Sequence, residues 1–200
     1  MSPIIAIYLV WATWLVTWLA ASLWSSQSLK RAGIAQELLY RALMFVGVVL
    51  LFSFYSNHYD IQYRFWDVPR GAVAWVLPAV VAVGLSFAWW ARAHVGHLRS
   101  SSVTRKTERR IVDTGPYAAV RHPIYTGIML AAFATAVAHG TPSSFLGAAI
   151  MTVAWIVKAR LEERFLRAEL GSEVYDAYAK RVPMLVPFLR RAAPNKANNG

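Results

Sequence analysis

Two short stretches of this 200-residue chain bring together residue types that do chemistry: Arg121-His122-Pro123, and the carboxylate pair Glu162-Glu163. The first belongs to Gly115-Pro116-Tyr117-Ala-Ala-Val120-Arg121-His122-Pro123-Ile124-Tyr125-Thr126-Gly127. A Gly-Pro turn leading to Arg-His-Pro reads as a loop entering a helix with proline in its first turn, where the missing N–H costs nothing. That places free backbone N–H groups, an Arg and a His at one helix start, which suits an anion. Glu162 and Glu163 suit the opposite charge. Brought together, the two stretches would accept a zwitterion, its carboxylate on Arg or His and its ammonium on Glu. The amino-acid group of S-adenosylmethionine is such a zwitterion. The bland alternative is an Arg-His pair anchoring a membrane span at the interface.

What positions these residues follows from hydropathy. Hydrophobic residues make up 57% of the chain and aromatic residues 14%, above the range of ordinary soluble domains. Five apolar segments, 4–24, 38–56, 72–91, 124–139 and 143–158, are each near the ~20 residues that cross a bilayer as a helix. The first carries no charge and lacks the basic start of a cleavable leader, so it reads as a retained span. His139-Gly-Thr-Pro-Ser-Ser144 separates the last two and is rich in turn formers and helix starters, which predicts a tight antiparallel hairpin. That hairpin would return Glu162 and Glu163 to the side of Arg121 and His122.

The Arg and Lys run from Arg92 to Arg121 is opposed by Glu108 and Asp113 alone, which makes that loop cytoplasmic by the positive-inside rule. Five alternating spans then put the N-terminus outside and the C-terminus and the chemistry inside. From Lys158 to Arg181, Leu161, Phe165, Leu166, Leu170, Val174 and Tyr178 recur at mostly helical spacing. This predicts an amphipathic cytoplasmic segment of two short helices, with Gly171 capping the first and Ser172 as N-cap of the second. The fold class is therefore all-α: one domain over 1–200, an integral membrane bundle of five transmembrane helices with that C-terminal segment.

Other features are set aside on physical grounds. The net charge of +11 is explained by basic residues beside spans, which meet anionic membrane lipid, so no nucleic-acid partner is expected. The absence of cysteine removes disulfides, thiolate metal sites and a cysteine nucleophile. His94 and His97 lack the further ligands that would complete a metal shell, and no metal is expected. Trp11, Trp14 and Trp18 share one helical face and read as packing.

GPYAAVRHPIYTG, then Glu162-Glu163, then Tyr175-Asp-Ala-Tyr178-Ala-Lys-Arg181-Val182-Pro183 running to Pro187-Phe188, together resemble the isoprenylcysteine carboxyl methyltransferase family and its phospholipid methyltransferase relatives. The resemblance covers about residues 113–188. It implies a membrane methyltransferase using S-adenosyl-L-methionine, held between the last two spans and the C-terminal segment. By position, Tyr117, His122, Tyr125 and Glu163 would contact the cofactor, with the backbone around Gly115 and Val120 near its adenosine; Pro123 and Tyr178 belong to the same set. Arg121 and Arg181 would lie at the reacting centre as catalytic residues, and Glu162 would face the cofactor or serve the structure.

Residues 1–91 carry no family motif, so the acceptor stays open. An isoprenylcysteine-like carboxylate comes first; a phospholipid amine or a small thiol are alternatives. A carboxylate is ionised at pH 7 and needs only a cation to orient it, whereas an amine or thiol would use His122 or a Glu as base. The partners expected are a lipophilic small molecule or prenylated substrate and membrane lipid. Sterol reductases, which use NADPH, share Arg-His-Pro but continue Asn-Tyr where this chain has Ile124. A scaffold or transporter component would bury polar residues within its spans, and these spans are almost free of them.

Overall fold

The computed structural model describes residues 1–23, 34–52, 63–66, 71–101 and 111–187. These are helical, with no strand among the described residues. In chain order they form α1 (Pro3–Leu23), α2 (Ile34–Leu51), a 3₁₀ turn (Ala72–Trp75) leading into α3 (Val76–Ser101), the short α4 (Pro116–Ala119), α5 (Pro123–His139), α6 (Pro142–Leu170) and α7 (Ser172–Arg181).

Two close helix pairs build the bundle, α3 with α5 and α2 with α6. Each is licensed by facing glycines. A Cβ on Gly127 would stand 2.3 Å from the Gly84 carbonyl oxygen, and one on Gly147 2.4 Å from the Leu51 nitrogen and 2.6 Å from the Gly47 carbonyl oxygen. Only the missing side chains let the backbones touch, which is how helices associate where lipid offers no hydrophobic contrast. Alanines at 88, 131, 132 and 148 fill the rest of the seam, each almost fully buried.

Helix α1 lies against α3 and α5 through the tryptophan face expected to pack. Trp11 Nε1 donates to Thr135 Oγ1 at 3.0 Å, Trp14 stacks on Trp18 at 4.9 Å, and Trp18 meets Trp89 edge-on at 5.5 Å. Meanwhile Val16, Leu19, Phe45 and Val83 are exposed on the outer surface, an arrangement suited to acyl chains rather than water.

Pro3–Leu23, Ala72–Gly96 and Pro142–Leu170 are long and apolar enough to cross a membrane, and Pro123–His139 is a shorter apolar helix. The expected second span, 38–56, overlaps α2, but its residues beyond 52 lie outside the described residues, as do residue 24 of the first and the side chain of His97. The hairpin forms at the expected place. Gly140 ends α5 in the left-handed conformation at φ 66°, and Thr141 caps α6 by accepting from the Ser144 N–H.

The C-terminal segment differs from expectation in two ways. Instead of starting afresh at Lys158, the span helix α6 continues unbroken for 29 residues to Leu170. No Gly or Pro interrupts 148–170, and its Lys, Arg, Leu, Glu and Ala are strong helix formers. Then Gly171, at φ 89°, flanks both α6 and α7, so Ser172 is the first helical residue of α7 rather than its N-cap. Phe165, Leu166 and Val174 are exposed, and Tyr175 with Tyr178 forms the buried face of α7.

Candidate active site

The charged end of the bundle gathers the N-terminus of α5, the continuation of α6, and the strap 182–187 that follows α7. Gly115 starts this region at φ 57°, a conformation that favours glycine. A Cβ there would strike the His94 ring at 2.8 Å, and His94 Nε2 lies 2.9 Å from Thr114 Oγ1. Pro116 opens α4, and the fully buried Val120 leaves it in extended conformation. The chain then bends at Arg121 into α5, and the backbone N–H groups of Arg121 and His122 donate to the carbonyls of Pro183 (2.9 Å) and Met184 (3.1 Å). Thr126 Oγ1 adds a bond to the Leu185 carbonyl at 2.6 Å. Pro123, buried, occupies the first turn of α5 as expected, with His122 as the residue before it.

Side chains close the arrangement. Arg121 Nε donates to Glu163 Oε1 at 2.8 Å, and its Nη1 donates to the carbonyls of Ala179 (2.8 Å) and Val182 (2.9 Å). Both charged side chains are about nine-tenths buried, at 11% and 8% exposure. Such a pair is tolerable only because each member is neutralised and hydrogen-bonded. His122 Nε2 stands 3.3 Å from the same Glu163 oxygen, while its Nδ1 lies 3.6 Å from Glu162 Oε2. The Tyr125 hydroxyl donates to Glu162 Oε1 at 2.5 Å. The His122, Tyr125 and Trp155 rings stack in series, 5.4 Å and 4.4 Å between centroids.

Burial, the largest single influence, pulls the His122 imidazole down; hydrogen bonds and charge from Glu162 and Glu163 together outweigh it and hold its pKa above the ordinary value. Burial pushes the phenols of Tyr175 and Tyr178 up, keeping them neutral donors. Accordingly the Tyr178 hydroxyl donates to the Tyr117 carbonyl at 2.8 Å, tying α7 to α4.

The structure therefore brings Arg121, His122, Tyr125, Glu162 and Glu163 into one network and joins Tyr117 to Tyr178. It treats the two glutamates differently. Glu163 is buried under Arg121, while the Glu162 side chain is 42% exposed. Arg181 makes its charged contact at the surface, Nη2 to Asp113 Oδ2 at 3.3 Å, with its side chain 68% exposed.

Residues assigned no site role from the sequence also converge here. Tyr175 is buried beneath the Arg167 guanidinium, 5.2 Å away, which is itself fixed by Asp176 at 2.7 Å. Lys158 stands 4.0 Å from Glu162 Oε1, with its ammonium over the rings of Trp155 (5.2 Å), Tyr125 (5.4 Å) and Tyr40 (5.7 Å). Its spacing to Glu162 and Trp155 on the same helix was the available signal; Tyr40 and Tyr125 come from α2 and α5, which no local pattern connects.

Comparison with known proteins matches this chain to methyltransferases. The phospholipid methyltransferase family model matches residues 74–173, half of the chain and the part that holds the network's charged pairs. Methanethiol S-methyltransferase 2 of Bradyrhizobium diazoefficiens is 35% identical over 75% of this chain and 60% of its own length. Protein-S-isoprenylcysteine O-methyltransferase B of Arabidopsis thaliana is 32% identical over 56% of this chain and 51% of its own length. The methanethiol S-methyltransferase of Pseudomonas sp. is 42% identical over 36% of this chain and 26% of its own. The chain thus spans at most about 60% of these curated relatives. On the matched half of the sequence, and on relatives that bear out the resemblance read from the motifs, the chain belongs to the phospholipid methyltransferase family, whose relatives include isoprenylcysteine and methanethiol methyltransferases.

Proposed function

We propose that this protein is a membrane methyltransferase that binds S-adenosyl-L-methionine at the charged end of the bundle and methylates a lipophilic acceptor through a carboxylate or a thiol. The isoprenylcysteine-like carboxylate is the first candidate; a thiol is favoured by the methanethiol relatives. Five spans, with the N-terminus outside and the site cytoplasmic, are part of the proposal and rest on the positive-inside rule.

The observation that carries this reading is the network from Arg121 through Glu163, His122 and Glu162 to Tyr125. The donor set fits the cofactor's chemistry. Glu162 is the carboxylate left open enough to accept the amino-acid ammonium, and the buried, stacked His122 and Tyr125 rings hold it at the opening. Tyr117 and the backbone of Gly115 and Val120 flank the adenosine side; Pro123 sets the start of α5. When bound, the cofactor supplies a methyl group activated on a sulfonium.

The protein's own residues then have distinct tasks. Glu163 and Arg121 neutralise each other, and Arg121 holds the C-terminal end of α7 through two carbonyls, so Arg121 positions the site rather than meeting the acceptor. His122 bridges the two glutamates and keeps their spacing. Tyr178 fastens α7 over Tyr117. Arg181 latches the end of α7 to Asp113. An in-line displacement then needs chiefly correct placement, worth up to about 7–11 kcal/mol.

Calorimetric titration of the detergent-purified protein with S-adenosylhomocysteine and, separately, NADPH tests this. Micromolar binding of the first alone is expected, weakened at least tenfold by Glu162→Gln. Binding of NADPH alone would replace the proposal with a reductase, and binding of neither would remove it.

A further inference from the structure

Between α2 and α6 a cavity of about 300 Å³ opens on the outer surface of the bundle. Met44, Phe45 and Val48 of α2 and Trp155 of α6 give it apolar walls, and Tyr40, Arg41 and Lys158 stand at its charged end. Val48 to Tyr40 is about two helical turns, so at 1.5 Å per residue the groove runs roughly 12 Å along α2. That volume is at the small end of ligand pockets. Its charged end is continuous with the network above, because Lys158 and Trp155 are shared with it.

The cations near the site are unequally committed. Arg121 is buried on Glu163 and two carbonyls. Arg181 pairs with Asp113, and Arg41 pairs with Glu37 one turn away. Lys158 is different. Its carboxylate neighbour Glu162 is at the 4.0 Å limit of pairing and already takes the Tyr125 hydroxyl. Among the described residues Lys158 donates no hydrogen bond; three ring faces hold its ammonium in place. An ammonium has three protons to donate, and cation–π contacts use none of them.

We infer that Lys158 is the acceptor-binding cation of the proposed methyl transfer, and that the α2–α6 groove takes the apolar part of an anionic acceptor, a carboxylate or thiolate on a hydrocarbon tail. This rests on the methyltransferase reading and names the substrate class of that site. The tail lies against Met44, Phe45 and Val48, and the anionic head meets the Lys158 ammonium at the edge of the Tyr125–Glu162 pair. A carboxylate is already the anion and moves no proton, whereas a thiol first gives its proton to water and reacts as the thiolate. One of the anion's lone pairs forms the bond to the methyl carbon, the carbon–sulfur bond breaks, and that bond's electron pair remains on sulfur. Acceptor charge and sulfonium charge disappear together, and no other reactant is needed. A cationic or neutral amphiphile gains nothing from Lys158 and is disfavoured.

The test uses the full chain in lipid nanodiscs at pH 8, saturated with S-adenosylhomocysteine. Equilibrium binding of radiolabelled dodecanoate, dodecanethiol, dodecanol and dodecyltrimethylammonium is measured against empty nanodiscs. Expected is at least tenfold tighter binding of dodecanoate or dodecanethiol than of dodecanol, lost in Lys158→Gln and kept in Lys158→Arg. Met44→Trp, which fills the groove, should weaken dodecanoate and dodecanol alike while S-adenosylhomocysteine affinity holds. Dodecanoate is the anion at pH 8, while dodecanethiol is largely protonated. A Lys158-dependent gain by dodecanoate therefore marks a carboxylate site, and a Lys158-dependent gain by dodecanethiol that grows as the pH is raised marks a thiolate site; either supports the inference. Equal binding of anion and alcohol, tighter binding of the trimethylammonium, or a preference that survives Lys158→Gln and vanishes in Arg181→Gln would overturn it. Failure of the wild-type protein to bind S-adenosylhomocysteine would instead sink the methyltransferase reading itself.

Discussion

Replacing Arg121 with methionine keeps the length of the side chain but removes the charge and three directed bonds, to Glu163, Ala179 and Val182. Because Glu163 is 8% exposed, its carboxylate is left in a site with little water, beside His122 and Tyr175. Breaking one partner out of a buried ion pair costs about 3–5 kcal/mol. The loss should be local, since the bonds run from the start of α5 to the charged end of α6, to α7 and to the strap, not into the α3–α5 or α2–α6 seams. At 1.4 kcal/mol per factor of ten, opening of residues 172–187 should rise on the order of a hundred- to a few-thousand-fold. Amide hydrogen exchange by mass spectrometry, on protein in detergent micelles, reads this directly. Peptides from α7 and the strap should exchange faster in Arg121→Met while those from α3 and α5 keep wild-type rates. Arg121→Lys, which retains the charge but not the fork of donors, should fall between. Unchanged exchange in 172–187 would refute the clamp; equal acceleration throughout the bundle would show that Arg121 supports the whole fold instead.

His122 gives a pH dependence. Its folded pKa is raised above the unfolded value of about 6.5, so its stabilisation is complete below about pH 6.5 and is lost as pH rises through the folded value. The gap in apparent melting midpoint between wild type and His122→Phe should therefore shrink from pH 6 to pH 9; a constant gap would mean that the imidazole does not titrate there. Gly127→Leu should separate α3 from α5, costing at least about 1–3 kcal/mol, with loss of a monodisperse peak in size exclusion as the readout. Gly171→Ala meets no neighbour within 4 Å, so any loss is backbone strain from φ 89°, about 1–3 kcal/mol, measured as a drop in melting midpoint.

Some of this architecture was legible because it is written in local patterns. Apolar run lengths mark the spans, and Gly140 with Thr141 marks the hairpin, since turn and cap chemistry act over a few residues. The approach of Glu162-Glu163 to Arg121-His122 followed from that hairpin alone. Where local reading missed, the deciding interaction was long-range or competing. Ser172 has the right chemistry for an N-cap, but the positive φ of Gly171 places the break one residue earlier. Val174 fits the apolar face by spacing, yet Tyr175 is the residue buried beneath Arg167.

By itself, then, the sequence determined that the chain is helical and membrane-like, which residue types could bind a charged cofactor, and which family its motifs resemble. Only the tertiary structure decided how those charges are spent. Two adjacent glutamates are equivalent in sequence, but successive positions on a helix lie about 100° apart, so Glu163 turns inward to Arg121 and Glu162 toward the opening. Arg41, Arg121, Arg167 and Arg181 are equally cationic until packing commits each to a carboxylate. Lys158, only 4.0 Å from its carboxylate neighbour, lies among rings supplied by α2, α5 and α6, and while Trp155 and Glu162 are its neighbours along the helix, nothing local records its meeting with Tyr40 and Tyr125.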